Sequence, residues 1–272
     1  MPRPALLHME YVFAFFEPEM FGALPAAVPT VEFPWEGDGR AFAEAVRAVG
    51  AELLVGNIPA TAYDRIAEAA KELPGVRFLP SLELQRLNRS KEEVVRFCRE
   101  HAIPHPETHI FANRDEGEAW LKAARYPLLL RRSYGPSNFG GYHSREVASP
   151  EAALEVLRTR RYFDPVFVQE PVRMRHGAEF RVILLEHEPL QSYWHAVDMP
   201  GELPVSERPG NAMELAVRVS KACNAPYLLC SIAVDAQSGE ALLLECTTAF
   251  AAPRELREKI AKRMTERIFQ GA

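Results

Sequence analysis

Within residues 11–80, short apolar runs alternate with amphipathic stretches of about ten residues, and this alternation restricts the available folds more than any other feature of the chain. Strands are expected at 28–33, at 51–55 ending on Gly56, and at 76–79, with helices at 41–49 and 62–73 between them. Strands separated by helices of that length build βαβ units, so a small open α/β domain on a parallel sheet is expected in the first third. Later segments carry a different pattern. Long strands are expected at 178–185 and 189–196, and two more, 227–234 and 241–245, flank the turn 237–240, as in an antiparallel sheet. The 272 residues suffice for two domains at roughly 150 residues each.

Between these regions Ser90 stands three residues before Glu93, the spacing of a capping box, so a helix is expected from 91 to about His101. It must stop before Ile103-Pro104-His105-Pro106. A second helix is expected at 115–124, then a buried run at 126–130, a glycine-containing loop at 131–141, a helix at 151–159 and a strand at 166–170. A proline-punctuated loop at 199–209 precedes a helix at 212–223, and a charged amphipathic helix closes the chain at 253–269.

Composition excludes several classes. Hydrophobic residues at 47% and charged residues at 25% are those of an ordinary globular protein, not of a disordered or fibrous one. A net charge of -5, from 32 Lys+Arg against 37 Asp+Glu, repels polyanions, so no nucleic-acid partner is expected. Cys98, Cys223, Cys230 and Cys246 form no C-x-x-C pair and read as buried thiols in a reducing compartment. The opening apolar stretch is interrupted by His8, Glu10, Glu17 and Glu19, and no run of about 20 apolar residues occurs, so neither a leader nor a membrane span is expected. The expected location is the cytoplasm.

Three segments carry candidate chemistry. In the loop 131–141, glycines would let backbone N–H groups approach phosphate oxygens while Arg131 supplies charge, although such loops also simply turn the chain. Asp235 and Glu245 end two neighbouring apolar strands; two adjacent carboxylates call for a cation between them, unless both lie at exposed strand ends. Gln169-Glu170-Pro171-Val172 leaves a strand with its backbone open, which suits an adenine edge or an edge strand stopped by proline. Arg173, Arg175 and His176 form a basic cluster that reads as a solvated turn in preference to the alternative of a substrate-anion site. His101, His105, His109 and His143 lack ligand spacing and read as surface or helix-end residues.

Taken in order, these segments resemble the ATP-grasp ligases, in particular the amino-acid ligases that extend ribosomal-protein tails and the carrier-protein ligases of lysine biosynthesis. The resemblance covers about 88–252. It rests on Lys91 opening a helix, on Ile103-Pro104-His105-Pro106-Glu107-Thr108, on Pro127-Leu128-Leu129-Leu130-Arg131-Arg132-Ser133-Tyr134-Gly135, on Val168-Gln169-Glu170, on Glu179-Phe180-Arg181, and on Val234-Asp235 with Glu245-Cys246-Thr247. The implied architecture is an α/β (α+β) ATP-grasp fold: an N-terminal α/β domain over 1–86, then an ATP-grasp domain over 87–272 with a lid at about 103–167 and an antiparallel-sheet part at about 168–272.

The implied activity is ATP-dependent joining of a carboxylate to an amine through an acyl phosphate, with ATP and Mg²⁺ as cofactors and small-molecule or peptide substrates. A homo-oligomer is left open. By the resemblance, Lys91, Arg131, Gly135 and Ser137 would meet the phosphates, Gln169 and Glu170 the adenosine, Asp235, Glu245 and Thr247 the magnesium, and Arg181 the acyl oxygen. Two departures stand out: Arg131 replaces a lysine, and Thr247 replaces an asparagine. They motivate the alternative of a catalytically degenerate nucleotide-binding protein.

Overall fold

The structure is a computed structural model and describes residues 2–8, 28–33, 39–58, 60–131, 144–159, 166–196, 202–250 and 252–269. Contacts divide the chain into two compact units. The first comprises Met1–Arg89, Asn224–Leu228 and Thr247–Ala272; the second comprises Ser90–Cys223 and Leu229–Cys246.

The first unit contains a four-stranded sheet built from β1 (Pro4–His8), β2 (Thr30–Glu32), β3 (Leu53–Val55) and β4 (Arg77–Leu79), all parallel and in the order β2-β1-β3-β4. Helices α1 (Gly39–Val49) and α2 (Ala60–Ala70) provide the crossovers. Crossover helices cover the faces of a parallel sheet, so β3 is buried along its whole length. Ala5, Leu7, Val31 and Leu54 from the strands join Phe42, Val46 and Ile66 from the helices in one core. The expected α/β pattern is present. The inner strand β1 is an addition, since Pro4 and a five-residue length leave it little periodicity to read. The short helix α3 (Leu82–Gln85) follows β4, with Ser81 Oγ accepting the Leu84 N–H at 3.2 Å. The closing helix, Arg254–Phe269, buries Leu256, Ile260, Met264 and Ile268.

The second unit opens on α4 (Lys91–Glu100), where Ser90 Oγ accepts the Glu93 N–H at 3.3 Å, as the capping spacing requires. There follow β5 (Thr108–Phe111), α5 (Arg114–Ala123), β6 (Leu128–Arg131), β7 (Ser144–Val147), α6 (Pro150–Thr159) and β8 (Val166–Gln169). Their strands form an antiparallel sheet in the order β5-β8-β6-β7, over a core of Leu121, Leu128, Leu130, Leu157, Val166 and Val168. At Gly117 a Cβ would come within 2.9 Å of the Val166 side chain, so this helix packs on the sheet only with glycine there.

A second sheet follows, in the order β11-β10-β9-β12-β13: β9 (Ala178–Leu185), β10 (Glu188–Ala196), β11 (Glu202–Leu203), β12 (Tyr227–Val234) and β13 (Ala241–Thr247). Helix α7 (Gly210–Ala222) packs on β9 through an apolar side that includes Leu215, Ala216 and Val219. Along β9 the buried Ala178, Phe180 and Val182 alternate with Glu179 and Arg181, which therefore share the opposite face. Residues 132–143 lie outside the described set, and with them Gly135, Ser137 and His143. Cys98, Cys230 and Cys246 are buried and Cys223 half-buried; burial pushes the Cys98 thiol up to about 12.

Candidate functional site

Four elements of the second unit bring charge to one place. Lys91 opens α4, Arg131 ends β6, Glu179 lies near the start of β9, and Glu245 lies on β13. The Lys91 side chain is only 7% exposed, and its Nζ lies 3.8 Å from Glu245 Oε2, an ion pair longer than a hydrogen bond. Among the described residues, no hydrogen-bond acceptor in bonding geometry lies within 3.5 Å of that ammonium or of Arg131 Nε, although both atoms are buried. Burial depresses the Lys91 pKa, Arg131 adds to the effect, and Glu245 and Glu179 oppose it. Burial likewise lowers the Arg131 pKa against the same two carboxylates. A lysine at a helix N-terminus is also disfavoured by the aligned peptide dipoles. Two buried cations with unused N–H donors are suited to an anion that brings its own oxygens.

The rest of Arg131 is held by β8. Its Nη1 donates to Gln169 Oε1 at 2.7 Å, and Gln169 Nε2 donates to Thr108 Oγ1 at 3.3 Å. Thr108 Oγ1 in turn donates to the Pro106 carbonyl at 2.8 Å. The chain of bonds follows from register, because Thr108 on β5 and Leu129 on β6 both lie opposite Gln169. Gln169 is therefore a buried support for Arg131, its side-chain amide engaged by Arg131 on one side and Thr108 on the other. Glu170 is exposed, and its backbone N–H donates to the Glu107 carbonyl at 2.9 Å.

Arg181 is paired with Glu179, its Nε and Nη2 donating to the same Oε2 at 3.3 and 3.2 Å. Both side chains are mostly buried. Across β10, Tyr193 lies opposite Arg181 and His195 opposite Glu179. The His195 pKa is lowered, by burial first and by Arg181 next, with Glu179 acting against them. Sequence reading assigned no role to Glu179, Thr108, Tyr193 or His195. The period-two alternation of 178–185, which sets Glu179 beside Arg181, is the signal that could have found the first of them.

The three expected metal ligands do not assemble. Asp235 sits at the β12–β13 turn, where its Oδ1 accepts the Gln237 and Ser238 N–H groups at 2.9 and 2.7 Å and the Ser238 hydroxyl at 3.0 Å. These bonds hold its carboxyl below the usual range. The Asp235 N–H pairs with the Glu240 carbonyl. Glu245, five residues further along, is therefore roughly 17 Å away at ~3.3 Å per residue. Both acids end up on adjoining strands, but at opposite ends of the hairpin. Thr247 is committed elsewhere: its hydroxyl donates to Asn88 Oδ1 at 2.9 Å and accepts the Ala249 N–H at 3.0 Å. The Thr248 N–H also donates to Asn88 Oδ1, and Asn88 Nδ2 donates to Thr248 Oγ1.

Among the described residues no group of three His, Cys, Asp or Glu side chains has metal-binding geometry. A magnesium ion carried on nucleotide phosphates needs only one or two protein carboxylates, and Glu245 remains in the charged cluster to supply one. The residues present thus fit one phosphate-borne ion. The Arg175–His176 cluster is a clamp: Arg175 Nη1 and His176 Nε2 lie 2.5 and 2.9 Å from the two Glu207 carboxylate oxygens, and Trp194 Nε1 donates to the Glu207 carbonyl.

No protein-family model matches the sequence, and no curated protein sequence matches it. Solved structures do match. A D-alanine–D-alanine ligase from Bacillus anthracis superposes with a TM-score of 0.70 at 12% identity, covering 100% of this chain and 99% of that one. The same ligase complexed with ATP gives 0.66 at 14% identity, over 100% and 99% of the two chains. An ATP-grasp RimK domain protein from Sphaerobacter thermophilus gives 0.67 at 15% identity, over 97% and 98%. The chain has the ATP-grasp fold, as the ordered motifs imply. No described helix is long and apolar enough to cross a membrane.

Proposed function

We propose that this chain is an ATP-dependent ligase that joins a carboxylate to an amine through an acyl phosphate. The reading is carried by the buried pair of cations, Lys91 and Arg131, whose Nζ and Nε lack hydrogen-bond partners among the described residues while Glu245 lies beside Lys91. Burying such donors without partners costs about 1–3 kcal/mol each, a cost that phosphate oxygens remove on binding. The ATP-complexed ligase of the same fold supports ATP as the source of those phosphates.

A carboxylate is a poor electrophile until one of its oxygens can leave as phosphate, which is what transfer of a phosphoryl group from ATP achieves. In this reading Lys91 and Arg131 offset charge on the phosphates, with Gln169 holding the Arg131 guanidinium in place. Mg²⁺, when bound with the nucleotide at Glu245, neutralises phosphate charge. Gly135 and Ser137 are retained as phosphate contacts from the loop, and Glu170 as a contact to ribose. Arg181, set in place by Glu179, faces the acyl oxygen and stabilises charge developing there. Asp235 and Thr247 have no part in it.

The test is release of ADP by the purified chain with Mg²⁺-ATP and amino acids or short peptides supplied in pairs. Pair-dependent release above the ATP-only rate is expected. Absence of both release and any Mg²⁺-ATP shift in melting temperature would rule the reading out, since a ligand bound at a hundredfold excess over Kd should stabilise the fold by about 2.7 kcal/mol.

A further inference from the structure

The charged face of the second sheet changes character from one end to the other. Lys91 and Arg131 gather by Glu245 on β13 and feel Glu179 on the central strand β9, and from Glu179 the face continues toward the opposite edge through His195 on β10 and Glu202 on β11. His195 lies directly opposite Glu179 on one side and directly opposite Glu202 on the other. Residues opposite one another across antiparallel strands point to the same face with Cβ atoms about 5 Å apart, so the imidazole stands between two carboxylates. On the reverse face, Trp194 lies against Phe180, with ring centroids 5.1 Å apart, which fixes the strand from behind.

We propose that this edge receives the amine substrate as its ammonium ion, between Glu179, His195 and Glu202, and that His195 takes the proton whose removal makes the amine a nucleophile. The proposal rests on the ligase reading above and deepens it by giving the site a polarity, with phosphates at the β13 end and the amine at the β11 end. The anionic carboxylates attract the ammonium group. Glu179 also keeps Arg181 in place, so the amine arrives beside the residue that faces the acyl oxygen.

The charged or titratable groups that face His195 from the neighbouring strands are Glu179 and Arg181 on β9 and Glu202 on β11, with Tyr193 next to it on its own strand. Its ring centroid is 6.4 Å from that of Tyr193. Burial and Arg181 keep the imidazole neutral to lower pH than an ordinary histidine, which suits a proton acceptor. In the step itself, one ammonium proton moves to the His195 ring nitrogen, and the freed lone pair attacks the carbonyl carbon of the acyl phosphate. The C–N bond forms, the C–O bond to phosphate breaks, and phosphate leaves with that electron pair. The second proton lost from nitrogen goes to the departing phosphate.

The test compares two acceptors for the same acyl phosphate. Hydroxylamine is already uncharged at neutral pH and needs no base, so hydroxamate formation from a panel of amino acids with ATP reports carboxylate activation alone. An amino acid supplied as the acceptor reports activation together with deprotonation. His195→Asn is expected to lower ligation about 100-fold more than it lowers hydroxamate formation, and to lose the acidic limb of the pH–rate profile for ligation. His195→Gln, which keeps more of the side-chain volume, is expected to do the same, and Glu202→Gln on the exposed edge should raise the KM for the amine several-fold. Equal losses with both acceptors, or ligation at the wild-type rate in both His195 variants, would overturn the amine-end assignment alone. A wild-type chain that makes no hydroxamate with any carboxylate would overturn the ligase reading and this proposal with it.

Discussion

Arg131 Nη1 donates to Gln169 Oε1 at 2.7 Å, so the cation that ends β6 is held by a neutral amide on the strand beside it. The contact gives a physical reason for an arginine at a position where the resembling ligases carry lysine. A planar guanidinium can give one nitrogen to Gln169 and keep another for an anion, whereas a compact ammonium cannot divide its donors in that fixed geometry. Arg131→Lys is accordingly expected to weaken Mg²⁺-ATP binding by roughly tenfold, about 1.4 kcal/mol. Gln169→Leu should leave the Arg131 Nη1 donor unsatisfied and cost about 1–3 kcal/mol of stability. Isothermal titration with nucleotide checks the first, and urea unfolding checks the second.

Thr247 tests the separation of structural from metal-binding threonines. Its hydroxyl bridges Asn88 and the Ala249 N–H, next to the fully buried Thr248. Thr247→Val should lower stability by about 1–2 kcal/mol through the lost hydrogen bonds. The Mg²⁺ concentration that gives half-maximal ATP turnover should not move. A several-fold increase in that concentration would return Thr247 to the metal.

How much could be read in advance depends on how local each determinant is. The parallel βαβ order of the first unit and the Ser90 cap follow from neighbouring residues, and the sequence displays both. The β1 strand has five residues and one proline, too short a run for any period to emerge. Lys91, Arg131, Arg181 and Glu245 could be named from ordered motifs, but their partners are set by strand register, which a single sequence does not encode visibly. Gln169 was visible as a strand-end amide; that it faces Arg131 depends on how β6 and β8 align. Asp235 and Glu245 are near one another in sequence and look like a pair. The hairpin that joins their strands is what carries them to opposite ends.

The depressed Lys91 pKa gives a pH dependence with a definite sign. In the unfolded chain this lysine titrates near its ordinary value of 10.5, and in the native protein it titrates below that, chiefly through burial. Between the two values the unfolded state binds more protons, so the apo protein should gain stability as pH rises through this window. Nucleotide binding should respond in the opposite direction, because phosphate requires the ammonium form. Mg²⁺-ATP affinity is expected to fall as pH rises through the lowered pKa, with proton uptake on binding at alkaline pH. Lys91→Met should abolish both dependences. Titration calorimetry in buffers of different ionisation enthalpy measures the uptake, and thermal melts across pH measure the stability change.

Glu245→Gln and Asp235→Asn make the sharpest contrast, since both remove one negative charge at nearly constant shape and only one should affect the chemistry. At Glu245 the neutral amide leaves Lys91 and Arg131 facing each other with less compensation, and it removes the carboxylate proposed to meet Mg²⁺. Metal-dependent ADP release should fall by at least 100-fold, and the apo protein should lose about 1–3 kcal/mol, toward the lower range for breaking a buried pair because the carboxylate retains some exposure. At Asp235 the amide oxygen can still accept the two turn N–H groups, so the hairpin should form. What it loses is the negative charge that those hydrogen bonds stabilise, the bonds that hold the carboxyl below the usual range. That contribution to stability is present above the ordinary carboxylate pKa and disappears as pH falls through the lowered one, so the variant should melt lower than wild type near neutrality and converge with it in acid. Its ADP release should stay within twofold of wild type. A loss at Asp235 comparable to that at Glu245 would mean that the two carboxylates meet in the working enzyme, and the separation along β13 would have to close on nucleotide binding.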